Sequence, residues 1–274
     1  MAMPASISQV TTLPTPYEVD LPAFARAGFA VVELWLTKLE TFLESHPVAE
    51  ARAILADNGL TAGAAASQGG LLLSGGTQRS EHLAHYRRRL DLLGELGVRT
   101  LVVVTDFPGV PTADDYRRAV DALGEVASMA AGHGVRLALE FNKSSRFCAS
   151  LDTTLALLAQ SGAENAGLCL DLFHYYAGPS KLEDLDDLSA DRLAWVQVCD
   201  LSGTPRELAG DADRILPGEG DFRLGPILGK LEEIGYDGPI SLELMNPTLW
   251  SVPVDALADA SMRSMARLLA GARR

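Results

Sequence analysis

Five times along this chain a helix-like segment runs into a glycine and then into a short apolar run: ARAGFAVVELWL, ADNGLTAGAAA, GELGVRTLVVV, AGHGVRLALEF and EIGYDGPISLEL. The glycines Gly28, Gly59, Gly97 and Gly134 lie 31, 38 and 37 residues apart. Glycine accepts the left-handed backbone that ends a helix, and an uninterrupted apolar run suits a strand buried on both faces. SGAENAGLCLDLF and DRLAWVQVCDL are fainter copies. With SQVTTL near residue 8, the expected strands number eight: SQVTTL, VVELWL, TAGAAA, TLVVVTD, RLALEF, GLCLDL, WVQVCD and ISLEL. The segments between them carry apolar residues at helical spacing, as at Tyr116, Val120, Leu123 and Val126. Such alternation implies a parallel sheet. Eight units in 274 residues predict an α/β chain folded as a (β/α)8 TIM barrel, one domain over residues 1–274. A doubly wound open sheet is the alternative, weakened because no GxGxxG follows the first strand.

Composition narrows the partners. The net charge of −13 opposes binding to the phosphates of nucleic acid, and the densest basic run, Arg87-Arg88-Arg89, reads as a solvated helix face. The 3 cysteines form no CxxC pair, so a reducing compartment is expected. MAMPASISQV has neither a basic nor an apolar leader segment, which predicts a cytoplasmic protein. No apolar run is long enough for a membrane span. Homo-oligomerisation stays an open option.

A barrel of this kind carries its chemistry at the C-terminal strand ends, and in the second half of the chain polar residues interrupt apolar runs there. RLALEF ends on Glu140; GLCLDLFHYY carries Asp171 and, three residues on, His174; LAWVQVCD carries Gln197 before Asp200; ISLELMNP carries Glu243 and Asn246. One carboxylate at a strand end is commonly a helix cap. Four successive strand ends are harder to assign that way, because clustered carboxylates raise one another's pKa unless a cation sits among them. Three carboxylates with a neutral donor suit a hard divalent ion such as Mn²⁺ or Mg²⁺. Zinc, more often held by histidine or cysteine, and cobalt are the other options. In the first half, Glu33 inside VVELWL faces either a pocket or a basic neighbour, and Asp106 in VVVTDFPGV reads as a turn residue.

Taken together, LALEF, GLCLDLFHYY, LPGEGDF and GYDGPISLEL resemble the xylose isomerase-like barrels, the sugar phosphate isomerase/epimerase superfamily. The resemblance covers most of the chain and is strongest from Gly134 to Asn246. It implies that Glu140, Asp171, Gln197 and Glu243 hold one metal ion, and that Glu140 and Glu243 double as the acid/base pair. It also implies that His174 binds substrate together with Arg206 or Arg214. Many members carry histidine where this chain has Gln197. An amide oxygen can still ligate a hard cation, and glutamine here with Arg214 in DRILPGEG is similar to the 3-dehydroshikimate dehydratase branch. The expected activity is isomerisation or epimerisation of a polyhydroxy carbonyl substrate, with dehydration as the alternative. A non-catalytic sugar-binding barrel is the second alternative. A DNA-repair nuclease on the same scaffold would need a histidine-rich site, and of the 5 histidines only His174 falls at a strand end. Trp250 is a candidate sugar platform, and SQGGLLLSGGTQRS reads as a mobile loop over the barrel mouth.

Overall fold

Eight parallel strands follow one another in chain order around a closed barrel. The structure is a computed structural model that describes residues 3–105, 107 and 109–271; Asp106, expected as a turn residue, lies outside them. The strands are β1 (Ala5–Ser8), β2 (Val31–Trp35), β3 (Thr61–Gln68), β4 (Thr100–Val104), β5 (Arg136–Glu140), β6 (Ala166–Asp171), β7 (Leu193–Val198) and β8 (Ile240–Leu242). The helices are α1 (Tyr17–Ala27), α2 (Leu36–Leu43), α3 (Val48–Asp57), α4 (Gly76–Leu96), α5 (Ala113–Ala131), α6 (Leu151–Ser161), α7 (Leu172–Ala177), α8 (Leu224–Glu233) and α9 (Val254–Gly271). The eight-stranded prediction therefore holds. Gly28 and Gly97 end α1 and α4 in the left-handed region, at φ 103° and 75°, where a side chain would strain the backbone.

By internal contacts the chain forms two compact units, residues 66–195 and the remainder. In the 66–195 unit, β4, β5 and β6 pair in strict register, with Val104 beside Glu140 and Glu140 beside Cys169. Their apolar residues, Leu101 to Val103, Leu137 to Leu139 and Leu168 to Leu170, are buried. α5 starts at a capping box: Thr112 Oγ1 accepts from Asp115 N, and the Asp115 carboxylate accepts from Thr112 N. In the other unit, β1 pairs with both β2 and β8, and β8 with β7, placing Ser8 beside Glu33 and Gln197 beside Ser241.

Two local expectations are corrected. The first strand stops at Ser8, and Gln9–Thr12 winds into a 3-10 turn. Its polar side chains find partners the extended form would not supply: Gln9 Nε2 and Thr12 Oγ1 donate to Asp20, each at 3.0 Å. Lys38 Nζ closes the turn by donating to the Gln9 and Thr12 carbonyls at 3.1 and 2.9 Å. The glycine- and serine-rich stretch after β3 is also less of a loop than its composition suggests. Ser67 and Gln68 finish β3, α4 begins at Gly76, and Leu71, Leu72 and Leu73 between them are buried.

Cys148, Cys169 and Cys199 are buried and none is joined in a disulfide, and burial pushes the Cys148 thiol up to about 12. Since the thiolate is the reactive form, a thiol reagent at neutral pH is expected to modify none of the three until the protein is denatured. Titration with and without denaturant checks this. Among the described residues no helix is long and apolar enough to cross a membrane.

Candidate active site

Glu140 is the last residue of β5 and Asp171 the last of β6. From Leu137 in β5 and Ala166 in β6 the strands are apolar up to those positions, so the backbone ladder carries each carboxylate to the strand's C-terminal end while its neighbours anchor the core. Asp171 also caps α7, its Oδ1 accepting from Phe173 N at 2.7 Å. That cap starts the helix which brings His174 back over the strand end. His174 Nε2 stands 3.4 Å from Glu140 Oε1 and 3.7 Å from Asp171 Oδ2. One ligand atom from each of Glu140, Asp171 and His174 falls within 4.8 Å of the other two, and all three residues are buried. Two carboxylates and an imidazole at this spacing suit a divalent cation in chemistry and in reach. Lys143 Nζ stands 5.7 Å from the ring centroid of Phe173, the residue before His174.

The second cluster belongs to the other unit. Gln197 on β7 is fully buried, and its Nε2 donates to Glu33 Oε1 at 2.8 Å and to Glu243 Oε1 at 3.1 Å. Ionised carboxylates only accept, so the amide's nitrogen must face them, and its carbonyl oxygen is the atom a cation would use. Glu243 follows β8 directly, its N–H tied to Val198 O at 3.0 Å, and its Oε2 accepts from Arg214 Nη1 at 3.0 Å. Arg214 is 1% exposed and also grips Asp211 through Nε and Nη2, at 3.1 and 2.9 Å. Thr11 braces the backbone on both sides of Glu243: its Oγ1 donates to Leu242 O at 3.3 Å and accepts from Leu244 N at 3.1 Å.

Each expected residue thus has a definite place. Glu140, Asp171 and His174 share one cluster, while Glu33, Gln197, Glu243 and Arg214 share the other. Arg206 is exposed on the loop after β7. Trp250, the candidate platform, is half-buried with Nε1 donating to Val10 O at 3.0 Å. Sequence reasoning did not reach Thr11 or the Asp20–Lys38 pair, because each acts through backbone groups or residues remote in sequence, nor Asp211, whose only sequence signal is its place three residues before Arg214. A faint signal existed at Gln9 and Thr12, polar residues in what otherwise read as a strand.

Relatives of the chain are informative. A family profile described as xylose isomerase-like TIM barrel matches residues 21–268. An inosose isomerase of Halalkalibacterium halodurans is 30% identical over 140 residues, 51% of this chain and 50% of that protein. A second, from Bacillus subtilis, is 26% identical over 179 residues, 64% of each chain. The 3-dehydroshikimate dehydratase of Pseudomonas aeruginosa is 28% identical over 271 residues, 95% of this chain and 40% of that protein. The matched region therefore spans less than two thirds of these relatives' own length. A crystal structure of IolI protein with a binding zinc atom superposes with TM-score 0.92 at 22% identity, covering 98% of both chains. At that identity the likeness speaks for the fold. The profile match runs through every strand from β2 to β8, and the chain belongs to the xylose isomerase-like TIM barrel family.

Proposed function

We propose that this chain is a divalent-metal-dependent isomerase or epimerase of polyhydroxy carbonyl compounds, working as one domain over residues 1–274. The observation that carries the reading is the buried trio Glu140, Asp171 and His174, whose ligand atoms lie within 4.8 Å of one another. Buried charges persist only when paired or liganded, and the two carboxylates of this trio fit a cation, with His174 left beside them for substrate. The proposed ligands are Glu140, Asp171, the carbonyl oxygen of Gln197, and Glu243, with Mn²⁺ or Mg²⁺ preferred by an oxygen-rich set. When bound, such an ion polarises a carbonyl oxygen and makes the neighbouring C–H more acidic.

The chain's own residues then move the proton. One glutamate, Glu140 or Glu243, takes the proton from the carbon next to the carbonyl. The other returns a proton to the opposite face of that carbon, giving an epimer, or to the former carbonyl carbon while the hydroxyl proton passes from one oxygen to the other, giving an isomer. Gln197 holds Glu243 and Glu33 in fixed orientation by donating to both, and Arg214 steadies the far oxygen of Glu243. His174 is assigned to a substrate hydroxyl, with Arg206 on the exposed loop and Glu33 as further substrate contacts.

A dehydratase is the second reading. It is favoured by the 3-dehydroshikimate dehydratase likeness, which runs over 95% of this chain, and by glutamine at position 197. In that case the same proton abstraction is followed by loss of a β-hydroxyl, with the proton delivered to the leaving oxygen.

A proton-exchange screen separates these readings. The protein is incubated with Mn²⁺ in D₂O with ketoses, inosose, hydroxypyruvate and 3-dehydroshikimate. Deuterium at the carbon beside the carbonyl supports the isomerase or epimerase; a new ultraviolet band from 3-dehydroshikimate supports the dehydratase. No exchange and no band with metal bound would remove both. Stability offers an independent test. A cation held by folded protein alone stabilises it by mass action, by about 2.7 kcal/mol at a hundredfold excess over Kd, and so raises the melting temperature. Chelator-treated protein is therefore expected to melt lower and to recover on Mn²⁺ addition, and unchanged melting would count against a bound ion.

A further inference from the structure

Asp200, just beyond β7, is a carboxylate that hydrogen-bonds no other side chain among the described residues, yet it receives four backbone N–H groups. Its Oδ1 accepts from Leu201 N and Phe222 N, both at 2.9 Å, and its Oδ2 from Gly218 N at 2.9 Å and Gly220 N at 3.1 Å. The residue is 1% exposed. Its own backbone is bonded in both directions to Ile215, at 2.9 Å each way, and Asp221 N donates to Leu201 O at 2.8 Å. The carboxylate thus gathers Gly218, Gly220 and Phe222, while the Asp200 backbone holds Ile215, so that the two together close residues 215–222 into a ring around Asp200. The fit is tight: a Cβ on Gly220 would come within 2.4 Å of Asp200 Oδ1. The chain entering this ring is Arg214, whose guanidinium reaches Glu243 Oε2 at 3.0 Å.

We infer that Asp200 is a positioning residue: through the 215–222 ring it sets the backbone from which Arg214 reaches Glu243. The catalytic part of this inference rests on the enzymatic reading above. Charge-assisted bonds from N–H groups to a carboxylate are roughly twice as strong as neutral ones, and convergent N–H groups form a concavity that takes an anion. Removing the carboxylate should leave an anion-binding nest with its four donors unmet, and a small carboxylate should refill it. A bulk-packing role would not produce that rescue.

The test is Asp200→Ala with and without formate. On the compound identified by proton exchange, kcat is expected to fall by about 10²-fold, the scale of a small misplacement near the chemistry, with KM changing less. Formate is expected to restore much of the rate, and formamide, which lacks the charge, is not. The readout that needs no substrate is the Arg214 Nε–H resonance in ¹H–¹⁵N spectra, expected to move in the variant and return with formate. Wild-type kcat in the variant, or an Arg214 resonance left at its wild-type position in folded variant, overturns the inference. If Asp200→Ala does not fold, Asp200→Asn replaces it. That variant keeps the shape but points an NH₂ at two of the N–H donors, and wild-type behaviour in it overturns the inference equally. Should wild-type protein turn over none of the compounds, the enzymatic reading falls while the resonance still decides whether Asp200 positions Arg214.

Discussion

Glu140→Gln is expected to lower turnover by about 10²–10⁴-fold, the range a positioned acid or base supplies. Glutamine preserves the volume and hydrogen-bonding reach of the residue but cannot carry the proton. The position is 6% exposed at the end of β5, so bulk water does not take over the task at the same rate. Glu243→Gln is expected to lose activity on a similar scale by a different balance. Glu243 accepts from Gln197 on one oxygen and Arg214 on the other, and an amide there would set an NH₂ against one of these donors. Deuterium exchange into the substrate, with metal content measured in parallel, reads both variants. Near wild-type exchange in either one, with metal bound, would end its assignment as acid or base.

Lys38→Met is expected to destabilise the fold by about 3–5 kcal/mol, because it strands a buried carboxylate. Lys38 and Asp20 meet at 2.5 Å with side chains 6% and 0% exposed. Lys38 Nζ also serves the Gln9 and Thr12 carbonyls, while Asp20 accepts from Gln9 and Thr12. The pair therefore holds the turn that carries Thr11 to the backbone around Glu243. Replacing both partners by apolar residues, as in Asp20→Leu with Lys38→Met, is expected to recover much of the loss, since no charge is then left alone. Chemical denaturation of the three proteins checks this, and a single variant as stable as wild type would contradict it.

The same pair makes a pH prediction. Burial raises Asp20 from 3.8 to about 6, outweighing the lowering pull of Lys38. The folded chain therefore binds this proton more tightly than the unfolded chain. Stability contributed by this group is present below about pH 4 and is lost as the pH rises to about 6. The double apolar variant is expected to lack that slope, and an identical slope in both proteins would show that other groups set it.

Much of the barrel was legible from short-range pattern. Gly28, Gly59, Gly97 and Gly134 all adopt positive φ, because the end of a helix is a local backbone problem whose solution leaves a glycine in the sequence. The buried strands were legible for a similar reason: a strand covered on both faces must be continuously apolar, so Glu140 and Asp171 stood out where the apolar runs end. The end of β1 was misread because the 3-10 turn at Gln9–Thr12 depends on Asp20 and Lys38, 11 and 29 residues from Gln9.

By itself, then, the sequence determined the order of the strands, the helix ends and the list of polar residues at strand termini, since each follows from local propensity and burial. Only the tertiary structure decided which atoms those residues offer one another. It showed the Gln197 amide bonded to Glu33 across 164 residues of sequence and to Glu243 across 46. It also showed Asp200 drawing together N–H groups as far away as Phe222. Such pairings depend on strand register and loop closure over long separations, which no local pattern of residues encodes.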